Sequence, residues 1–217
     1  MNFKHLITIF LIVFLLLPVS GSSQRNQTVL DPENDNEARL NRLLPPEEIM
    51  DSVGITQGMA LAEIGAGRGR FAVHLAVRVG ESGKVYAEDI DAAALRHLEN
   101  RCEQWGLSNV EAIRGEVTDP RLPAGEIDLI CVVSSYHHFE DPVELLRNAR
   151  PALKPDGLLA IAEWLPWNNN DREGTKAEDM EAQMKAAGYS LIRTETLDVA
   201  KPLHIYVFRP YETQSFR

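Results

Sequence analysis

The stretch from Met59 to Phe71, MALAEIGAGRGRF, limits what this chain can become more than any other. A short apolar run, Met59 to Ala62, carries an acid at Glu63. It then passes through Gly65, Gly67 and Gly69 into Phe71, Ala72, Leu75, Ala76 and Val79, which recur at helical spacing. The pattern predicts strand, glycine turn, helix. Glycine serves where the backbone takes a positive φ or comes within contact distance of a ligand, and a helix starting just beyond offers unpaired N–H groups. Taken alone, the turn reads either as a small-ligand cradle or as a tight strand-to-helix corner. The spacing is G-x-G-x-G, one residue short of the dinucleotide fingerprint, which disfavours a nicotinamide site.

The same alternation continues downstream. Val85–Ile90 predicts a second strand, Asp91 an N-cap, and Ala92–Trp105 a helix that Gly106 ends. Val110–Arg114 and the almost wholly apolar Ile127–Val133 read as strands three and four, the latter buried on both faces of a parallel sheet. Asp141, Pro142 and Glu144 open the next helix, and Pro155-Asp156-Gly157 turns the chain into a fifth strand, Leu158–Trp164. Thr175 and Glu178 cap a last helix that Gly188 closes, before strands at Leu191–Thr196 and His204–Arg209. Crossovers make the first five strands parallel, whereas the short link from Leu197 to Leu203 requires an antiparallel hairpin. The expected fold is α/β, an open, doubly wound, mostly parallel sheet with one reversed strand near the C-terminus.

Residues 1–23 read as a leader. Lys4 precedes an apolar run of twelve residues, Leu6–Leu17, followed by small residues from Ser20 to Ser23. That length lies within the roughly 7 to 15 of a signal peptide and short of the roughly 20 that span a bilayer. Export to the periplasm or beyond is therefore expected, with a retained membrane anchor as the alternative. Residues 24–37 are polar and acidic and read as a tether, and 38–217 as one domain. Within it, a helical piece at Ala38–Leu44 and a second at Glu47–Val53, opened by Pro45 and Pro46 and stopped by Gly54, either cover a cleft or simply pack. Cys102 and Cys131 fall in core patterns, and no Cys/His spacing suggests a metal site. A formal charge of -10 without a basic run argues against nucleic acid as partner and for a small molecule.

Ligands of such sheets bind beyond the carboxyl ends of the strands. The polar residues there are Glu63, Asp89, Glu116, Asp119 and the run Ser134–Glu140, an acid-rich set suited to hydroxyls and amines and ill suited to phosphate. With E-I-G-A-G-R-G at 63–69, V-Y-A-E-D-I at 85–90, G-E-V-T-D at 115–119, Y-H-H-F-E-D-P at 136–142 and L-K-P-D-G at 153–157, the chain resembles a class I methyltransferase of the ubiquinone-biosynthesis-like group, which uses S-adenosylmethionine (SAM). The resemblance covers residues 45–209. It implies the Rossmann-like seven-stranded fold, SAM as cofactor and transfer of a methyl group to a small-molecule acceptor. It implies further that Gly65, Ala66 and Gly67 pass under the methionine of SAM, with Glu63 near its amino group and Ser134 near its end. Asp89 would accept from the ribose hydroxyls, Ile90 pack on the adenine, and Glu116 and Val117 sit at its edge. Arg68 stands where the group has a small residue, and either pairs with Glu63 or with the SAM carboxylate or impairs binding. His137 and His138, with Tyr136 beside them, are the candidate bases, each with the alternative of a structural histidine. Trp164 and Trp167 either wall an acceptor pocket or belong to the core, and Asn168–Asn170 reads as loop. A non-catalytic, exported binding protein on the same scaffold is the competing function.

Overall fold

The computed structural model describes residues 31–166 and 174–211, so the leader, the first half of the tether, Trp167 and Asn168–Asn170 lie outside the described residues. Among the described residues, six α-helices and seven strands follow one another: α1 (Asp35–Leu43), α2 (Pro46–Val53), β1 (Ala60–Ile64), α3 (Ala72–Val79), β2 (Lys84–Asp89), α4 (Ala92–Trp105) and β3 (Val110–Arg114). Then come β4 (Ile127–Val133), α5 (Pro142–Ala149), β5 (Leu153–Trp164), α6 (Ala177–Ala187), β6 (Tyr189–Leu197) and β7 (Leu203–Pro210). The strands form a single sheet in the order β3-β2-β1-β4-β5-β7-β6. β1 to β5 are mutually parallel, and β7 inserts antiparallel between β5 and β6. This is the expected architecture, reversed strand included. Order reverses between β1 and β4, so the carboxyl ends of these strands diverge and leave a crevice.

Alternate residues of the central strands point to opposite faces. Ala62, Ile64, Ile130 and Val132 join α5 and α6 on one side, while Leu61, Leu129, Cys131 and Val133 join α2 and α3 on the other. Both cysteines are buried and free. Asp91 and Asp141 cap α4 and α5 through the Ala93 and Glu144 N–H groups, and Gly54, Gly106 and Gly188 end their helices in the left-handed conformation.

Four features depart from expectation by more than a one-residue shift of an end, each for a physical reason. β5 begins at Leu153 rather than Leu158, because Pro155-Asp156-Gly157 forms an irregularity inside the strand. β5 advances from Leu153 to Leu158 while β4 advances only from Ile127 to Leu129. Thr175 does not cap α6. Its N–H bonds to the Trp164 carbonyl, and Lys176 takes the N-cap position without a side-chain bond. β6 starts two residues early, at Tyr189, whose ring is buried and whose hydroxyl donates to the Leu146 carbonyl.

The fourth difference concerns α1, which starts within the stretch read as tether. Asn34 caps it through the Glu37 N–H. Glu37 is buried against Arg101 of α4, its carboxylate bonded to both guanidinium ends at 2.5 and 3.2 Å. Neighbouring Glu33 bonds His97 at 2.7 Å. A polar segment is thus held to the domain by ion pairing rather than by apolar burial. Among the described residues, no helix is long and apolar enough to cross a membrane.

Candidate active site

The turn after β1 fills the crevice floor. Gly65 takes φ +78° and Gly67 φ +55°. A Cβ on Gly65 would lie 2.7 Å from the Ser135 side chain, so crowding as well as conformation demands glycine. At Gly67 nothing lies within 4 Å of that point, and the backbone is open on that side. The turn does not offer free donors as its sequence suggests. Gly65 and Ala66 both donate to the Glu88 carbonyl, and Gly67 donates to Asp89 Oδ2 at 2.7 Å. Asp89 Oδ1 accepts from the Asp91 N–H at 2.8 Å. Each Asp89 oxygen therefore uses one acceptor direction to fix the turn and keeps another.

Beyond the turn lies a cavity of about 370 Å³. Gly65, Gly67, Asp89, Ile90, Glu116 and Val117 line it, together with Ser134, Ser135, His138 and Glu140. Ile90 and Val117 are large apolar residues left exposed, 55% and 40% respectively, so an apolar surface of a ligand finds a partner there. Ser134, at the end of β4, is held at φ +54°, an uncommon conformation for a residue with a side chain, by its N–H bond to the Ala162 carbonyl. Four acids and no lysine or arginine line this cavity.

Two predicted cofactor residues do not line it. Ala66 is buried behind the turn. Glu63 is 3% exposed, and its Oε2 has no hydrogen-bond partner among the described residues. Burial, with Asp89 nearby, pushes its carboxyl up to about 8 against the opposing pull of Arg70. The cation beside Glu63 is thus Arg70, whose guanidinium also bonds Asn41 at 3.0 Å, rather than Arg68. Arg68 turns outward to His97. Burial and the Arg70 and Arg101 charges push His74 down to about 4.

Glu88, which sequence reasoning passed over, lines the cavity while almost wholly buried, and burial with the neighbouring Asp89 charge raises it to about 8. An acid raised in the native state binds protons that the unfolded chain has released. Its contribution to stability is therefore intact below about pH 4.5 and declines as pH rises towards 8. Glu88→Gln is expected to match the wild type in melting temperature at pH 4.5 and to exceed it at pH 8.5. A wild-type-minus-variant difference that does not change with pH would refute this.

A second cavity, of about 340 Å³, adjoins the first, and Ser134 and His138 line both. Leu40 and Leu43 of α1 form its roof, and His137 and Trp164 line its wall. His137 Nδ1 lies 2.8 Å from Glu163 Oε2, which also accepts from the His137 N–H, while Glu163 Oε1 accepts from the Trp164 N–H at 2.9 Å. Glu163 is 1% exposed. Its oxygen accepts, so Nδ1 carries the proton and Nε2 is the nitrogen left with a lone pair. The His138 ring lies 4.0 Å from that of His137. Tyr136 is placed elsewhere: it is buried in the core with its hydroxyl donating to Gln183 at 2.7 Å. Glu163 too was missed in the sequence, although an acid inside an apolar strand was a visible signal.

Residues 61–157 match the family described as "Methyltransferase domain". Nocamycin O-methyltransferase of Saccharothrix syringae is 33% identical over 119 residues, 54% of this chain and 42% of that protein. Demethylmenaquinone methyltransferase of Geobacillus kaustophilus is 25% identical over 117 residues, 54% of this chain and 50% of its own. The chain thus spans about half the length, or less, of these curated relatives. A solved SAM-dependent methyltransferase from Aquifex aeolicus superposes with a TM-score of 0.71 at 25% identity, over 82% of this chain and 98% of that one. Fold, glycine turn and matches agree: residues 61–157 match a methyltransferase domain, and the chain is similar to class I SAM-dependent methyltransferases.

Proposed function

We propose that the protein binds SAM in the cavity beyond β1 and β2 and methylates a small-molecule acceptor held in the adjoining one. The observation that carries this reading is the meeting of the two cavities at Ser134 and His138, with the His137–Glu163 pair on the far side. Both volumes fall in the range of about 300 to 1,000 Å³ typical of small-molecule pockets. Both relatives' names also carry a small-molecule acceptor.

The residues fit the cofactor chemically. The free acceptor directions of Asp89 suit a ribose diol, and the exposed Ile90 and Val117 suit the adenine, with Glu116 at its edge. The open backbone at Gly67, beside Gly65 and Ala66, leaves room for the methionine, with Ser134 at its end. Glu63 keeps a buried oxygen without a partner, the acceptor that an ammonium group would meet. An acid-lined cavity also favours a cation.

SAM, when bound, supplies a methyl group on a positively charged sulfur that a nucleophile displaces directly. His137 takes the acceptor's proton at Nε2, and Glu163 orients the ring and stabilises the resulting imidazolium. His138 faces both cavities and is the second candidate base. The remaining task of the fold is alignment, worth up to about 7 to 11 kcal/mol.

Calorimetric titration of the purified protein with SAM tests the reading. One-to-one micromolar binding is expected, with release of S-adenosylhomocysteine once an acceptor is supplied. Absence of binding by folded protein would favour a non-catalytic binding protein. We also propose that residues 1–23 direct export, as a cleaved leader or a retained anchor. Recovery of cytosolic protein with Met1–Ser23 intact would overturn that.

A further inference from the structure

The two adjoining cavities differ in sign. Glu88, Asp89, Glu116 and Glu140 line the first, whereas the charged residues lining the second are Arg39 and Lys201, with no carboxylate among its lining residues. Such a lining is unexpected in a chain of net charge -10. Arg39 lies on α1, four residues before Leu43 and so on the same helical face, and forms no ion pair or hydrogen bond among the described residues. Lys201, in the β6–β7 link, stands 4.5 Å over the Trp164 ring. Leu40, Leu43 and the Trp164 indole line the same cavity and give it an apolar part beside the cations.

Resting on the proposed methyl transfer, we infer that the second cavity takes an acceptor bearing a carboxylate, a hydroxyaryl acid. Arg39 and Lys201 hold its anionic end, Trp164 packs its ring, and the hydroxyl faces His137. A guanidinium recognises a carboxylate through paired, charge-assisted hydrogen bonds, which a neutral amide cannot reproduce. Arg39 is exposed and Lys201 half-buried, and the α1 leucines and the indole beside them keep part of the water from the pairing. The same carboxylate chemistry has a second source, the methionine end of SAM. The cations line the second cavity and not the first, which favours the acceptor.

The test titrates SAM-saturated protein by calorimetry with three probes, 4-hydroxybenzoate, 3-hydroxyphenylacetate and 4-hydroxycinnamate, each beside its primary amide. At least one acid is expected to bind tenfold or more tightly than its amide in the wild type. In the Arg39→Gln/Lys201→Gln double variant, that preference is expected to vanish while SAM affinity stays within twofold. Equal affinity for every acid and amide, binding of none of them, or an acid preference that survives the double variant would overturn the inference. So would a tenfold loss of SAM affinity in the double variant, which would assign the cations to the cofactor. Failure of SAM itself to bind the wild type would instead remove the underlying methyltransferase reading, so the two failures are distinct.

Discussion

Replacing Asp89 with alanine is expected to weaken SAM binding by about 10²- to 10⁴-fold. Hydrogen bonds to a charged group contribute about 1.5 to 3 kcal/mol each, and a carboxylate facing a vicinal diol makes two. The Asp89 oxygens also tie the glycine turn to β2 through the Gly67 and Asp91 N–H groups, so the variant loosens the cradle as well as the ribose contact. Asp89→Asn separates these effects. It retains one carbonyl acceptor and is expected to fall between the wild type and Asp89→Ala. Calorimetry supplies the affinities and thermal melting confirms folding. SAM affinity within threefold of the wild type in folded Asp89→Ala would remove this residue from the cofactor site.

The second large effect is expected at the acceptor side. His137→Ala should lower kcat by about 10²- to 10⁴-fold, the usual contribution of a positioned general base, with the Kd for SAM unchanged. His138→Ala, whose ring has no hydrogen-bond partner among the described residues, should stay within tenfold. Glu163→Gln tests the positioning role: kcat should fall while the Kd for SAM and the KM for the acceptor hold, because the amide no longer orients the His137 ring as the carboxylate does. A purely structural Glu163 would change melting temperature and leave kcat of the folded variant unchanged. Should His138→Ala show the greater loss, the base assignment passes to that residue.

Much of the fold was legible because local rules and tertiary packing agree. Asp91 and Asp141 cap where an N-cap residue precedes an apolar stripe, and Gly106 and Gly188 stop helices where no other residue takes the left-handed turn cheaply. The lining of the first cavity was legible too, since a strand, a glycine turn and an acid at the next strand end lie close together in sequence. That of the second was not. Glu163 and His137 are 26 residues apart, and Arg101 and Glu37 64 apart, so neither pair leaves a local pattern. Arg68 and Arg70 illustrate the same limit. Both flank Gly69, yet the direction in which the turn enters α3 sends Arg70 towards Glu63 and Arg68 to solvent. Spacing alone does not reveal which way a turn faces.

The contacts of α1 limit how far into the chain a cut is tolerated. A cut at Ala38, where composition changes from polar to apolar, would remove the Asn34 cap and leave the Arg101 guanidinium buried beside nothing. Stranding one partner of a buried pair costs about 3 to 5 kcal/mol, against a typical total of about 5 to 15 for a domain. The same cut would unseat the helix that carries Arg39, Leu40 and Leu43 over the second cavity. A chain beginning upstream of Glu33 would keep these contacts whole, whereas one beginning a few residues further on would leave the second cavity without the α1 residues that line it.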